Sequence, residues 1–215
     1  MEKFTTLTSL VAPLDRTNVD TDQIIPKQFL KRVERSGYGD FLFFDWRQTA
    51  DGAPIADFVL NDERYKGAQI LIAGKNFGCG SSREHAAWAL ADFGFRVVIA
   101  PTFADIFFSN AGKNGIVLVR LPEDKVEVLM QRAQSLSHYK VTVSLEKQMV
   151  TDSLGFQWPF EIDPFRKYCL LEGLDDIGLT LRHAAALDAF EAKHDQVGWL
   201  KAKEQSGAKL GGLNA

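Results

Sequence analysis

The sequence predicts an α/β fold, and two observations carry that prediction. Three short continuous apolar runs, QILIA at 69–73, RVVIA at 96–100 and IVLV at 116–119, have the character of strands buried on both faces. Between them lie two segments with helical spacing, giving the order strand, helix, strand, helix, strand, which a parallel sheet with right-handed crossovers accommodates. At 215 residues and 46% hydrophobic content the chain suits one domain with a modest extension and has ample material for a core.

Taken in order, a first apolar segment LTSLVAPL starts at Leu7 and gives way to DRTNVDTDQIIP, whose Asp, Asn and Thr side chains favour turns by bonding nearby backbone. Pro26 punctuates the entry to a helix. Residues 36–67 mix aromatic clusters with Gly and Asp without a sustained period, and read as an irregular excursion with one short helix near 55–61. Arg83–Phe93 is a helix with Ala87, Trp88, Leu90 and Ala91 on one face and Gly94 as its stop. A second helix spans PTFADIFFSNAGKNG, and a third runs from Pro122 and Glu123 to about Ser137. YKVTVSLEKQMVTDS alternates as a half-exposed antiparallel hairpin, and DPFRKYCLLEG and LRHAAALDAFEAKH supply two more helices. The expected organisation is one domain over 1–200 and a frayed, Gly-rich tail over 201–215.

A net charge of -3, spread without long single-sign runs, gives no footprint for nucleic acid or an anionic membrane. Small molecules or protein partners fit better. No apolar run approaches the roughly 18 to 20 residues of a membrane helix, and the N-terminus does not read as a signal peptide. Cytoplasm is the default compartment. Cys79 and Cys169 are too few and too far apart for a disulfide framework or a CxxC site, so reduced thiols fit best.

The stretch with chemical content is GKNFGCGSSREH at 74–85. Where a strand hands over to a helix through glycines, unpaired N–H groups and the positive end of the helix dipole converge on one spot, which suits an anion. Gly74, Gly78 and Gly80 fit such a turn. The spacing matches neither a P-loop, which needs Lys and then Ser or Thr after its last glycine, nor the dinucleotide GxGxxG. A plainer reading also stands: Ser81-Ser82-Arg83-Glu84 matches the capping box S-x-x-E, Arg83 would be a surface cation, His85 a helix histidine and Cys79 a small buried residue. Two hydroxyls, a fixed cation and several backbone donors together nevertheless suit a carboxylate. Asp20 and Asp22 look like a catalytic pair, but loop aspartates more often serve turns and caps. His138, His183 and His194 show no metal-ligand spacing.

These residues resemble the swivelling domain of the aconitase family, and within it the small subunits of bacterial isopropylmalate dehydratases. GKNFGCGSSREHA is similar to their hallmark, and NVDTDQIIPKQFL at 18–30, YGDFLFFDWR at 38–47 and APTFADIFFSNAGKNGI at 100–116 extend the match. Cys79 stands where aconitases proper tend to carry an acidic residue. The resemblance implies a swivelling β/β/α domain with a mostly parallel central sheet and flanking helices. It also implies a hydro-lyase of leucine biosynthesis that moves a hydroxyl between adjacent carbons of 2-isopropylmalate by dehydration and rehydration.

By the same resemblance Ser81 is the base, acting as an alkoxide, while Ser82, Arg83 and Gly80 hold a substrate carboxylate. The loop from Pro26 to Arg32, with Phe29, Leu30, Lys31 and Arg32, is the region that differs with substrate, although Phe29 and Leu30 also read as core. The family's Lewis acid is a 4Fe-4S cluster held by three cysteines, more than this chain offers. A large subunit would therefore bring it, and much of the 36–67 excursion and the tail after about residue 200 are expected to be ordered only against that subunit. A sibling dehydratase acting on homoaconitate or a substituted malate, and a non-catalytic carboxylate-binding module, are the rival readings.

Overall fold

A computed structural model describes residues 1–31, 34, 36–81 and 83–194, so the expected tail lies outside the described residues. The chain divides into two compact units, Met1–Asp175 and Asp176–Ala215.

The first unit is built on a seven-stranded sheet of β1 (Thr6–Leu14), β2 (Ile70–Ala73), β3 (Val97–Ala100), β4 (Val117–Arg120), β5 (Lys140–Ser144), β6 (Met149–Asp152) and β7 (Gln157–Pro159). Their spatial order is β4-β3-β2-β1-β5-β6-β7. The C-terminal half of β1 pairs parallel with β2, Val11 opposite Ile70, whereas its N-terminal half pairs antiparallel with β5, Thr6 opposite Ser144. One strand thus joins the parallel β1–β4 half to the antiparallel β5–β7 extension. The predicted hairpin is β5–β6; β7, a three-residue edge strand ending in proline, was not expected.

Both faces of the parallel half are covered, which is why its strands are continuously apolar. Leu71, Ala73, Val98, Ala100 and Leu118 face one core, and Ile70, Ile72, Val97, Ile99, Val117 and Val119 face the other. The alternation is the two-residue period of a strand, and each of the buried Val, Leu and Ile side chains stabilises by about 1.5–3 kcal/mol.

The helices of this unit are α1 (Thr21–Ile24), α2 (Phe44–Arg47), α3 (Glu84–Phe93), α4 (Asp105–Lys113), α5 (Glu123–Ser135) and α6 (Pro164–Glu172). The first core lies under α3, α4 and the 36–67 excursion, and the second under α5, with Leu170 of α6 and the antiparallel strands. The buried positions of α3 are Ala86, Ala87, Ala89 and Leu90, with Trp88 half-buried. The expected face is rotated because the excursion packs on the helix from a second side. At Gly39 a Cβ would lie 2.7 Å from the Phe93 backbone nitrogen.

That excursion packs on this chain's own core. Tyr38, Leu42 and Phe43 are fully buried, and Phe43 stacks on Trp46 at 5.6 Å. Arg47 is nearly buried and donates to the carbonyls of Gly39 (3.2 Å) and Asp40 (2.7 Å), satisfying groups that have no strand partner. The short helix expected near 55–61 is two 3-10 turns, Val59–Asn61 and Glu63–Tyr65. In the second unit the helix expected over 181–194 is interrupted at Arg182–His183, giving α7 (Asp176–Leu181) and α8 (Ala184–His194).

A charged group closes the antiparallel end. The buried Asp152 carboxylate accepts from Arg132, from Tyr139 Oη, and from the Leu154 and Phe156 N–H groups at 2.8 Å each. Burial pushes its pKa up, but these donors together hold it below the usual carboxylate value. A depressed carboxylate stabilises the fold above its unfolded pKa, about 3.9, and loses that contribution as pH falls through the lower folded value. Asp152→Asn should therefore be less stable than wild type at neutral pH, and the gap in urea midpoint should narrow as pH drops from about 5 towards 2. A gap independent of pH would contradict this.

Candidate active site

The parallel pairing of β1, β2 and β3 does not stop at the strand ends. It continues into their loops as isolated rungs, Asp20 beside Cys79 and Phe77 beside Phe103. The Val19 carbonyl accepts from both Gly78 N (2.7 Å) and Cys79 N (3.2 Å), and Thr21 N donates to the Cys79 carbonyl at 2.9 Å. On the other side Phe77 N bonds to the Thr102 carbonyl (3.1 Å) and Ala104 N to the Phe77 carbonyl (3.1 Å). The glycine-rich turn is therefore clamped between the loops that follow β1 and β3.

Two glycines make that course possible. Gly78 has φ 77° and lies against Phe107 of α4, where an added Cβ would come 2.2 Å from the ring. Gly80, at φ 89°, is exposed. Both conformations lie in the left-handed region, where a side chain is costly.

Ser81 is exposed, and its contact with the segment after β1 runs through its carbonyl, which accepts from Thr21 Oγ1 at 2.8 Å. It is not the helix cap. α3 begins at Glu84 with Arg83 as an extended N-cap residue that makes no side-chain cap, so the S-x-x-E box predicted as the plainer reading does not form. The capping box lies elsewhere: Asp20 accepts from Gln23 N at 2.9 Å, and Asp20 N donates to Gln23 Oε1 at 3.0 Å. Asp20 has the capping role expected of it, whereas Asp22 does not.

Asp22 instead forms an ion pair with Arg83 and contacts Lys27 Nζ at 3.1 Å. The paired Asp22 Oδ1 and Arg83 Nη1 are sealed from water, and neither makes a further hydrogen bond among the described residues. The Arg83 side chain is 11% exposed, so it is a fixed rather than a surface cation. Two cations sharing one carboxylate leave this cluster with a positive balance. Ser82 lies outside the described residues.

The Cys79 thiol and the His85 imidazole nearby both favour their neutral forms. Burial, and then the Asp20 carboxylate, push the Cys79 thiol upward against an opposing backbone hydrogen bond, so it is not an activated thiolate. His85 packs against Tyr38 (centroids 5.3 Å) and Trp88 (4.7 Å), and its imidazolium is disfavoured by burial and by Arg83, with Glu84 opposing.

The loop expected to read the substrate's side group is a 3-10 turn, Lys27–Lys31. Phe29 stacks on Phe41 at 4.1 Å and meets Phe44 edge-on at 4.9 Å. Phe29 and Leu30 are half-buried against the first core, Lys31 is exposed, and Arg32 lies outside the described residues. Among the described residues no three His, Cys, Asp or Glu side chains are grouped to hold a metal. Cys79 is on the turn and Cys169 is buried on α6, so these residues do not fit an iron–sulfur cluster.

Gly78→Ala should destabilise the chain by about 3 kcal/mol, since it combines overpacking against Phe107 with a left-handed backbone. Chemical denaturation of the purified chain checks this, and an unchanged midpoint would mean that the turn is not clamped as described.

Comparison with known proteins bears on the same residues. The model of the aconitase C-terminal domain matches residues 1–124, and that of the C-terminal domain of the 3-isopropylmalate dehydratase small subunit matches residues 176–202. The 3-isopropylmalate dehydratase small subunit of Acidobacterium capsulatum is 66% identical over 215 residues, covering 100% of this chain and 98% of its own. That of Brevibacillus brevis is 58% identical, over 90% of this chain and 100% of its own. A crystal structure of 3-isopropylmalate dehydratase from Methanocaldococcus jannaschii aligns with a TM-score of 0.64 at 22% identity, over 86% of this chain and 98% of that one, a likeness that speaks for the fold. The chain belongs to the aconitase-related family of 3-isopropylmalate dehydratase small subunits.

Proposed function

We propose that this chain is the small subunit of a 3-isopropylmalate dehydratase. With a large subunit, it would convert 2-isopropylmalate to 3-isopropylmalate through 2-isopropylmaleate in leucine biosynthesis. Membership of the family supports the reaction class. The observation that carries the reading to particular residues is an exposed Ser81 held by its backbone on a clamped turn, beside the buried cation Arg83.

The reaction removes a proton from a carbon next to a carboxylate and hydroxide from the adjacent carbon, then adds water in the opposite sense. For this chain the work divides between a proton carrier and a carboxylate holder. Ser81 is the proton carrier. An alkoxide is demanding for serine, and the α3 N-terminus and the positive Asp22–Lys27–Arg83 cluster are the local features that favour an anion. Arg83 supplies a planar fork for a carboxylate, already oriented by Asp22, and Ser82 and the Gly80 backbone complete that holder. A Cβ at Gly80 would meet Asp20 and Thr21 only at ordinary contact distance, so it is the left-handed backbone, at φ 89°, that calls for glycine there.

Departure of hydroxide calls for a Lewis acid, and among the described residues of this chain no group of side chains fits one. We place the 4Fe-4S cluster on the large subunit, with substrate bound between the two chains. The Phe29 and Leu30 region lies close in sequence to the Asp22–Lys27 contact, and Phe29 contributes mainly to packing. Among the described residues no helix is long and apolar enough to cross a membrane, and a cytoplasmic enzyme is the reading adopted.

Anaerobic assay with the large subunit, following the ultraviolet absorbance of the unsaturated intermediate, tests the assignment. Activity should require both chains, and Ser81→Ala should lower kcat by roughly 10²–10⁴-fold, the usual worth of a positioned acid–base group. Full activity in Ser81→Ala would place the base elsewhere.

A further inference from the structure

We propose that Thr21 is the positioning residue for Ser81, an inference that rests on Ser81 being the proton carrier. Thr21 is almost fully buried and makes two bonds to the turn from one residue. Its N–H donates to the Cys79 carbonyl at 2.9 Å and its hydroxyl to the Ser81 carbonyl at 2.8 Å. The anchored carbonyls flank Gly80, whose left-handed backbone is the most permissive point of the turn. A glycine there is free to swing, and two fixed carbonyls on either side remove that freedom.

Thr21 is itself held. It is the first residue of α1, its carbonyl accepts from Ile25 N at 3.0 Å, and the preceding Asp20 is locked by the capping box with Gln23. Its β-branched side chain has few rotamers, and the methyl and hydroxyl are fixed together. Thr21 touches no reacting atom; it sets where the Ser81 side chain starts from. An error of about 1 Å in such placement can cost roughly 10²-fold in rate, with little effect on binding.

The test uses the assembled enzyme. Thr21→Val keeps the shape and removes the donor; it should lower kcat by roughly 10- to 100-fold with KM within about twofold, while Thr21→Ser stays near wild type. On a Ser81→Ala background Thr21→Val should add almost nothing, because the two act as a unit. Wild-type kcat in Thr21→Val, a change confined to KM, or a loss that multiplies with that of Ser81→Ala would overturn the proposal. If the valine variant does not assemble, Thr21→Ser and Thr21→Ala carry the test, since they share the lost methyl and differ in the hydroxyl. A fast serine and a slow alanine variant support the role, and equal rates overturn it. An inactive Ser81→Ala beside a fully active Thr21→Val would overturn the positioning alone, whereas a fully active Ser81→Ala would overturn the assignment of Ser81 and this proposal with it.

Discussion

The structure depends on the hydrogen bonds that carry the parallel sheet past its own strand ends. Buried backbone donors and acceptors must find partners, and the loops after β1 and β2 find them in each other. The Val19 carbonyl takes both Gly78 N and Cys79 N, while Thr21 returns a donor to Cys79. Each loop is therefore the other's template. The glycines follow from this geometry, because Gly78 has to pass within contact of Phe107 to stay in register. Ser81 is held on the same turn through its carbonyl, which accepts from Thr21 Oγ1, while the residue itself is exposed.

Electrostatics completes the site with few charges. Asp22 holds Arg83 in a nearly buried place where an unpaired guanidinium would be costly. The same carboxylate also contacts Lys27, so compensation is incomplete and the balance stays positive. Such a cluster can receive a second anion without first losing its support. The arrangement favours an anion over a neutral ligand, and it links the segment after β1 to Arg83 at the start of α3, the proposed carboxylate holder.

The parts of the fold legible in the sequence were those with a period. β2, β3 and β4 are continuous apolar runs because two cores flank them, and α4, α5 and α6 show both spacing and stops. β1 was visible as an apolar segment, but its position between parallel and antiparallel neighbours is a long-range fact with no local signal. The 36–67 excursion was opaque because it is organised by tertiary anchors such as Phe43, Trp46 and Arg47 rather than by repetition. In the site, the turn and its glycines were readable from residue type, and the roles proposed for Ser81, Ser82 and Arg83 came from the family resemblance. The S-x-x-E pattern misled because α3 starts two residues later than the pattern implies, with Arg83 and not Ser81 at the N-cap position. The Asp22–Arg83 and Thr21–Ser81 contacts, each joining residues about sixty positions apart, appear only once the chain is folded. The signal for them was the cluster of small polar residues in NVDTDQ, which has local capping roles enough to conceal a long-range one.

The most direct test of this account is a structure of the assembled small and large subunits with 2-isopropylmalate bound. The account predicts Ser81 Oγ within about 3.5 Å of the carbon that loses its proton, with Arg83 on a substrate carboxylate and still paired to Asp22. A substrate bound away from the turn, with Ser81 facing only protein or solvent, would contradict it.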